Sequence, residues 1–232
     1  MLAVDVAVAK THKYASRDSG DTVETVERPT GGLSVVMVDG QGTGSAAKSL
    51  SMMVSSKAVA LLKEGVRDGA VARGVHDVLL AYRHGKVSAT LDLLSLDLAS
   101  RTVVITRNSH VPHIVVIDGE VTLHDGVTTP IGLYRHTKPT VFEHKVVCGM
   151  KVVVFTDGVS NAGRRYGTQF DPLSGLITQG SAKDIAETLL DAAIAADQGR
   201  PGDDMAVVAM TIDALEQDQP IRTMRLTWPI PG

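Results

Sequence analysis

The order in which helical and strand periodicities follow one another constrains the fold of this chain most. Residues 2–10 (LAVDVAVAK) alternate apolar with polar or small residues, the mark of a half-buried strand. Residues 21–27 alternate again, and Pro29–Gly32 turns them into the strongly apolar run 33–38. Helical spacing then takes over. Ala46, Leu50, Met53, Val54, Ala58 and Leu61 mark a helix over 45–63, stopped by Gly65. Val71, Val75, Val78, Leu79 and Tyr82 mark a second over 68–83, with Gly85 just past its end. Short strands are predicted at 86–98, 102–106, 114–117, 121–123, 141–147 and 151–156, with Asp118-Gly119 and Asp125-Gly126 as hairpin turns. One more helix, 182–196, carries Ile185, Ala186, Leu189, Leu190, Ala193 and Ile194 on one face, and a strand follows at 205–212. The tail 221–230, with Pro229 near its end and Pro231 just past it, suits an edge strand. Strands and helices are thus segregated rather than alternating, which predicts an α+β fold with antiparallel sheets. No linker of changed composition divides the chain and no internal repeat is found, so one domain is expected over 1–232, its core at about 5–212 and 213–232 a tail.

Composition removes whole classes of function. At 232 residues with 44% hydrophobic content the chain can bury a core, and no low-complexity tract points to disorder. No apolar run nears the roughly 18 residues of a membrane span. A net charge of −3 and eight aromatic residues leave neither a basic field nor stacking platforms for nucleic acid. Cys148, the single cysteine, forms no internal disulfide and no Cys-rich zinc site. The N-terminal residues lack a basic secretion signal, so a cytoplasmic location is expected.

The acids are unusual: 19 Asp stand against 7 Glu. Aspartate serves turns and caps, but also hard-metal sites, where a short carboxylate is held by the backbone. Five Asp-Gly pairs occur, and a plain turn explains any one of them. Asp39-Gly40 and Asp157-Gly158 differ because each ends an apolar, β-branched run that reads as a central strand. A carboxylate there is costly unless paired or metal-bound. Asp203-Asp204 stands before another such strand, and Asp21 starts the strand that pairs with the Asp39 strand. Acids from distant segments at neighbouring strand ends are what a divalent-cation cluster requires. The loop Val38–Ser49 carries two further readings. Gly42–Ser49 nearly spells a phosphate-cradling loop ending in Lys48-Ser49, but Ala47 occupies its second glycine position. Gly42-Thr-Gly44-Ser-Ala-Ala47 matches a dinucleotide fingerprint, but helix follows helix where a second strand is needed.

Taken together, Ser19-Gly20-Asp21, Val38-Asp39-Gly40-Gln41-Gly42-Thr43-Gly44, Phe155-Thr156-Asp157-Gly158 with Val159–Ala162, and Gly202-Asp203-Asp204-Met205 resemble the motifs of metal-dependent protein phosphatases. This is the PPM or protein phosphatase 2C family, and the match is nearest to its SpoIIE-like bacterial branch. Ala89-Thr90-Leu91, Arg107–Pro112 and Thr129–Leu133 resemble that branch's intermediate signatures. The resemblance implies a β-sandwich flanked by helices in α-β-β-α layers. It implies two Mn²⁺ or Mg²⁺ ions, with room for a third, at one edge. Asp39 and Asp157 would carry catalysis, Asp39 bridging both ions. The Gly40 carbonyl and Asp21 would serve one ion and Asp157 with Asp203 the other, with Asp204 an open alternative. The implied reaction is hydrolysis of phosphoserine or phosphothreonine by metal-activated water, on a phosphorylated regulatory protein. Gln41 stands where eukaryotic members carry a histidine thought to protonate the leaving group, and it has no proton to give. Arg17 stands near the right distance before Asp21 for a phosphate-binding arginine, although a solvated surface role fits it better. His110 reads as a packing residue. The helix pair at 45–83 is the natural regulatory element. Two alternatives stand beside the phosphatase: a partner-binding domain with an idle site, and a nucleotide-binding enzyme using the 40–49 loop.

Overall fold

In the computed structural model, residues 1–126, 128–176, 178–215, 222, 223 and 227 are described. The elements run β1 (Leu2–Thr11), β2 (Asp21–Glu27), β3 (Gly32–Gly40), α1 (Gly44–Lys63), α2 (Asp68–Arg83), β4 (Ala89–Asp97), β5 (Thr102–Asn108), β6 (His113–Ile117) and β7 (Glu120–His124). There follow β8 (Thr140–Lys145), β9 (Met150–Phe155), the short helix α3 (Asp157–Ser160), α4 (Ala182–Ala196) and β10 (Met205–Ala214). Two antiparallel five-stranded sheets result, one ordered β1-β10-β9-β6-β7 and the other β2-β3-β4-β5-β8. The α+β class read from segregated periodicities is what the chain adopts.

Strand period explains how the layers close. In β3, Val35 and Met37 point between the sheets, where they meet Val152, Val154, Val208 and Met210. Val36 and Val38 point the other way, against Leu50 and Val54 of α1 and Val71 and Val75 of α2. The same division holds in the second sheet, whose outer face (Val153, Phe155, Val207, Ala209) is covered by Ile185, Ala186 and Leu189 of α4. Central strands with both faces covered lose the polar alternation of a half-exposed strand, which is why β3, β9 and β10 read as continuous apolar runs.

Some boundaries differ from the expectation. Asp118-Gly119 does make the β6–β7 hairpin, both residues having positive φ (51° and 80°). Asp125-Gly126 makes none. After β7 the chain leaves its sheet and crosses to the end of the other, where Ile131 exchanges backbone hydrogen bonds with Ala89 at 2.9 and 3.2 Å. Burial of Ile131 against the α1–α2 side outweighs the local turn preference. Residues after Thr156 wind into α3 rather than a simple turn, closed by Asn161 N–H on the Asp157 carbonyl at 2.8 Å. The edge strand expected at 221–230 lies almost wholly outside the described residues.

Candidate metal centre

The candidate acids meet at one end of the sandwich because of strand register. Asp39 follows Val35 and Met37 at period two, so it continues the face that looks between the sheets. Asp21 is its cross-strand partner in the β2–β3 ladder. From the opposite sheet, the end of β9 brings Thr156 and Asp157, and the approach to β10 brings Asp203 and Asp204. Thr156 joins the two sheets: its hydroxyl donates to Asp21 Oδ2 at 2.9 Å and accepts from Ala206 N–H at 2.9 Å.

Two glycines of the Asp-Gly pairs are there for close approach. A Cβ on Gly158 would fall 2.0 Å from the Asp204 carbonyl oxygen, and one on Gly40 would fall 2.4 Å from that of Ala47 in α1. Nothing lies near Gly119 or Gly126. The two pairs singled out by their place in the sequence are therefore also those where backbone packs on backbone.

The carboxylates are not equivalent. Asp204 spends both oxygens on backbone, accepting from Lys13 N–H at 2.8 Å and Gly20 N–H at 2.7 Å, and so fastens the 13–20 segment to β10. Asp203 Oδ1 accepts from the Asp204 N–H at 3.0 Å. Asp21 keeps one buried oxygen, Oδ1, with no hydrogen-bond partner. Burial, then the charges of Asp21, Asp157, Asp203 and Asp204, pushes the Asp39 carboxyl up to about 8. Burial raises Asp21 to about 7, with Asp204 and Asp157 adding and the Thr156 hydrogen bond and Lys10 opposing. Asp157 is raised by burial and by Asp203, against His110, the Gly158 N–H and Arg164. Crowded acids of this kind either hold protons or take a cation.

Among the described residues, no three His, Cys, Asp or Glu side chains are drawn close enough around one point to hold an ion as they stand. The donor set nevertheless fits a hard divalent cation: it is all oxygen, mutually repelling, and includes the partnerless Asp21 Oδ1. Asp21, Asp39, Asp157 and Asp203 are the side chains that would hold it, with the Gly40 carbonyl beside Asp39.

Gln41 turns to β4, its Oε1 accepting from Ser88 N–H at 2.8 Å and Ser88 Oγ at 3.2 Å. Arg17 is exposed on the approach to β2. Lys48 is not set for a phosphate. Its ammonium donates to the Asp21 carbonyl at 2.9 Å and Thr22 Oγ1 at 3.0 Å, and β3–α1 runs on into α2 and an antiparallel sheet. That geometry fits neither nucleotide motif. His110 is half exposed, with Nε2 at 3.9 Å from Asp157 Oδ2, so it stands at the rim of the acids and not in the packing. Neither Thr156, quoted only as part of the Asp157 motif, nor Lys10 stands out in the sequence as part of the site. Only the adjacency of Thr156 to Asp157 could have flagged it.

The comparisons agree with this architecture. The family model described as Stage II sporulation protein E (SpoIIE) matches residues 29–213. Among solved structures, the chain is similar to the PP2C phosphatase domain with a regulatory-domain fragment of the cell fate determinant SpoIIE from Bacillus subtilis. The TM-score is 0.79 at 21% identity, over 91% of this chain and 64% of that one. The chain thus spans 64% of the length of that relative. It is also similar to RsbX in complex with magnesium (TM-score 0.70, 16% identity, 92% of this chain and 100% of that one). A third is the Mycobacterium tuberculosis serine/threonine phosphatase PstP/Ppp (TM-score 0.68, 15% identity, 91% and 99%). At these identities the likeness concerns the fold. No curated protein matches the sequence. A family model that covers most of the chain, including Asp39, Asp157, Asp203 and Asp204, places the chain in the SpoIIE family of PPM-type phosphatase domains.

Proposed function

We propose that the chain is a metal-dependent protein phosphatase that hydrolyses phosphoserine or phosphothreonine on a regulatory phosphoprotein. The observation that carries this reading is the convergence of Asp21, Asp39, Asp157 and Asp203 from four chain segments, with one buried carboxylate oxygen left open. Family membership supports it, as does the similarity to a magnesium complex and to a protein described as a serine/threonine phosphatase. Two bound Mn²⁺ or Mg²⁺ ions, or three, would supply an acidified water and charge to offset the phosphoryl oxygens. Asp39, whose carboxyl feels the charges of Asp21, Asp157 and Asp203 together, would help hold both ions. Asp21 would bind one through Oδ1, its other oxygen held by Thr156, and Asp157 with Asp203 the second. Asp203 is preferred over Asp204 because both Asp204 oxygens already hold backbone N–H groups. Gln41, engaged with Ser88, does not protonate the departing serine or threonine oxygen. Arg17 is the exposed cation on the approach to β2 that would meet the phosphate.

The idle-site alternative would keep the fold without needing the acids, and all of them are present. Hydrolysis of p-nitrophenyl phosphate in Mn²⁺ and in Mg²⁺ tests the reading. Asp39→Asn is expected to lower turnover by about 100-fold or more, and undiminished turnover would sink the assignment. The same assay on serine- and threonine-phosphorylated peptides from candidate regulators addresses substrate class.

A further inference from the structure

Behind the carboxylates, two cations meet on one backbone atom. Lys10 near the end of β1 and Lys48 in the second turn of α1 both donate to the Asp21 carbonyl oxygen, at 3.0 and 2.9 Å. They come from different layers, since β1 is an edge strand of one sheet and α1 covers the other. Two ammonium groups on one oxygen repel each other, and that juxtaposition persists only where nearby negative charge offsets it. Burial and then Lys48 weigh against the charge on Lys10, and Asp21, Asp204 and Glu24 oppose them.

We infer that Lys10 and Lys48 are resident counter-charges of the carboxylate centre, and that they hold down its affinity for a divalent cation. The inference rests on the metal reading above. Two effects compete when one lysine is removed. Loss of a hydrogen bond to the carbonyl tends to misplace Asp21 and weaken ion binding. Loss of a positive charge removes repulsion of the incoming ion and strengthens it. The second effect wins because the position of Asp21 is set several times over. The β2–β3 ladder pairs it with Asp39, Thr156 holds its Oδ2, and the other lysine still donates to its carbonyl. In the ion-free protein the sign reverses, because the crowded acids lose a counter-charge. A merely structural lysine would lower stability and weaken ion binding together.

The test uses the whole chain with Lys48→Met and Lys10→Met, made separately so that one survives if the other fails to fold. Free Mn²⁺ is followed by electron paramagnetic resonance to obtain dissociation constants, and melting is recorded in EDTA. Each variant is expected to bind Mn²⁺ about tenfold tighter at low salt, with the difference shrinking in high salt, and to melt lower in EDTA than the unmodified chain. Unchanged or weaker Mn²⁺ binding in the variants of a chain that itself binds the ion overturns the lysine inference alone. A chain that binds no Mn²⁺ before mutation overturns the metal reading, and the lysine inference with it.

Discussion

At the scale of single residues, the site depends as much on missing side chains as on acids. Gly158 lets α3 start directly over the Asp204 backbone, and any Cβ there would meet a carbonyl oxygen at 2.0 Å, which no flexible side chain can relieve. Gly158→Ala is therefore expected to destabilise by about 1–3 kcal/mol or more, and to displace Asp157 from Asp204. Gly126→Ala, in the same dipeptide with nothing within 4 Å, is expected to stay within about 0.5 kcal/mol. Urea denaturation of the two variants reads the difference, and equal effects would mean that close approach is not why Gly158 is there. The sequence shows which Asp-Gly pairs matter because burial of the preceding strand is visible in its β-branched run. It does not show what holds the acids. Thr156 reaches Asp21 across 135 residues, and only the stacking of two sheets makes them neighbours.

At the scale of elements, what was legible followed from local physics. The helix expected at 182–196 is found at those residues, because its apolar spacing matches the buried face and Ser181 caps its start. Ser181 accepts from the Asp184 N–H while the Asp184 carboxylate takes the Ser181 N–H at 2.9 Å, a reciprocal box that satisfies two orphan donors. Ser181→Ala is expected to cost about 1 kcal/mol, read as a lower urea midpoint with unchanged slope. No measurable change would show that packing of Ile185 and Leu189 alone fixes the start of α4. Where an element depends on remote partners, local signals mislead. Asp125-Gly126 has the composition of a hairpin turn, yet the burial of Ile131 beside Ala89 carries the chain to the other sheet. The opening of α1 misleads in the same way. A glycine-rich loop before a helix suits phosphate, but here the helix points its lysine inward to the Asp21 carbonyl.

At the scale of the whole molecule, two buried groups of ionisable residues set opposite limits on stability. Among strands β4 to β8, Arg107 lies buried between Asp92 and His113, donating to Asp92 Oδ1 at 2.8 Å and to His113 Nδ1 at 2.9 Å. Because arginine only donates, His113 accepts at Nδ1 and is held neutral. Its ring stacks on His124 with centroids 4.7 Å apart, and His144 lies beyond. Burial, then Arg107, His124 and His144, pushes His113 down to about 3 from 6.5. The unfolded chain takes up that proton first, so this contribution is present above pH 6.5 and is lost as pH falls toward 3. The acids act in the other direction. Asp21 and Asp39 rise from 3.8 to about 7 and about 8, so the ion-free fold binds the extra protons. Their contribution is present below 3.8 and is lost as pH climbs through 7 and 8. A divalent cation bound among these acids would take the place of those protons, so its benefit would grow with pH. The rise in melting temperature produced by Mg²⁺ over EDTA is expected to be small near about pH 5 and severalfold larger near about pH 8. An Mg²⁺ effect independent of pH across that range would mean that the ion does not sit among Asp21 and Asp39.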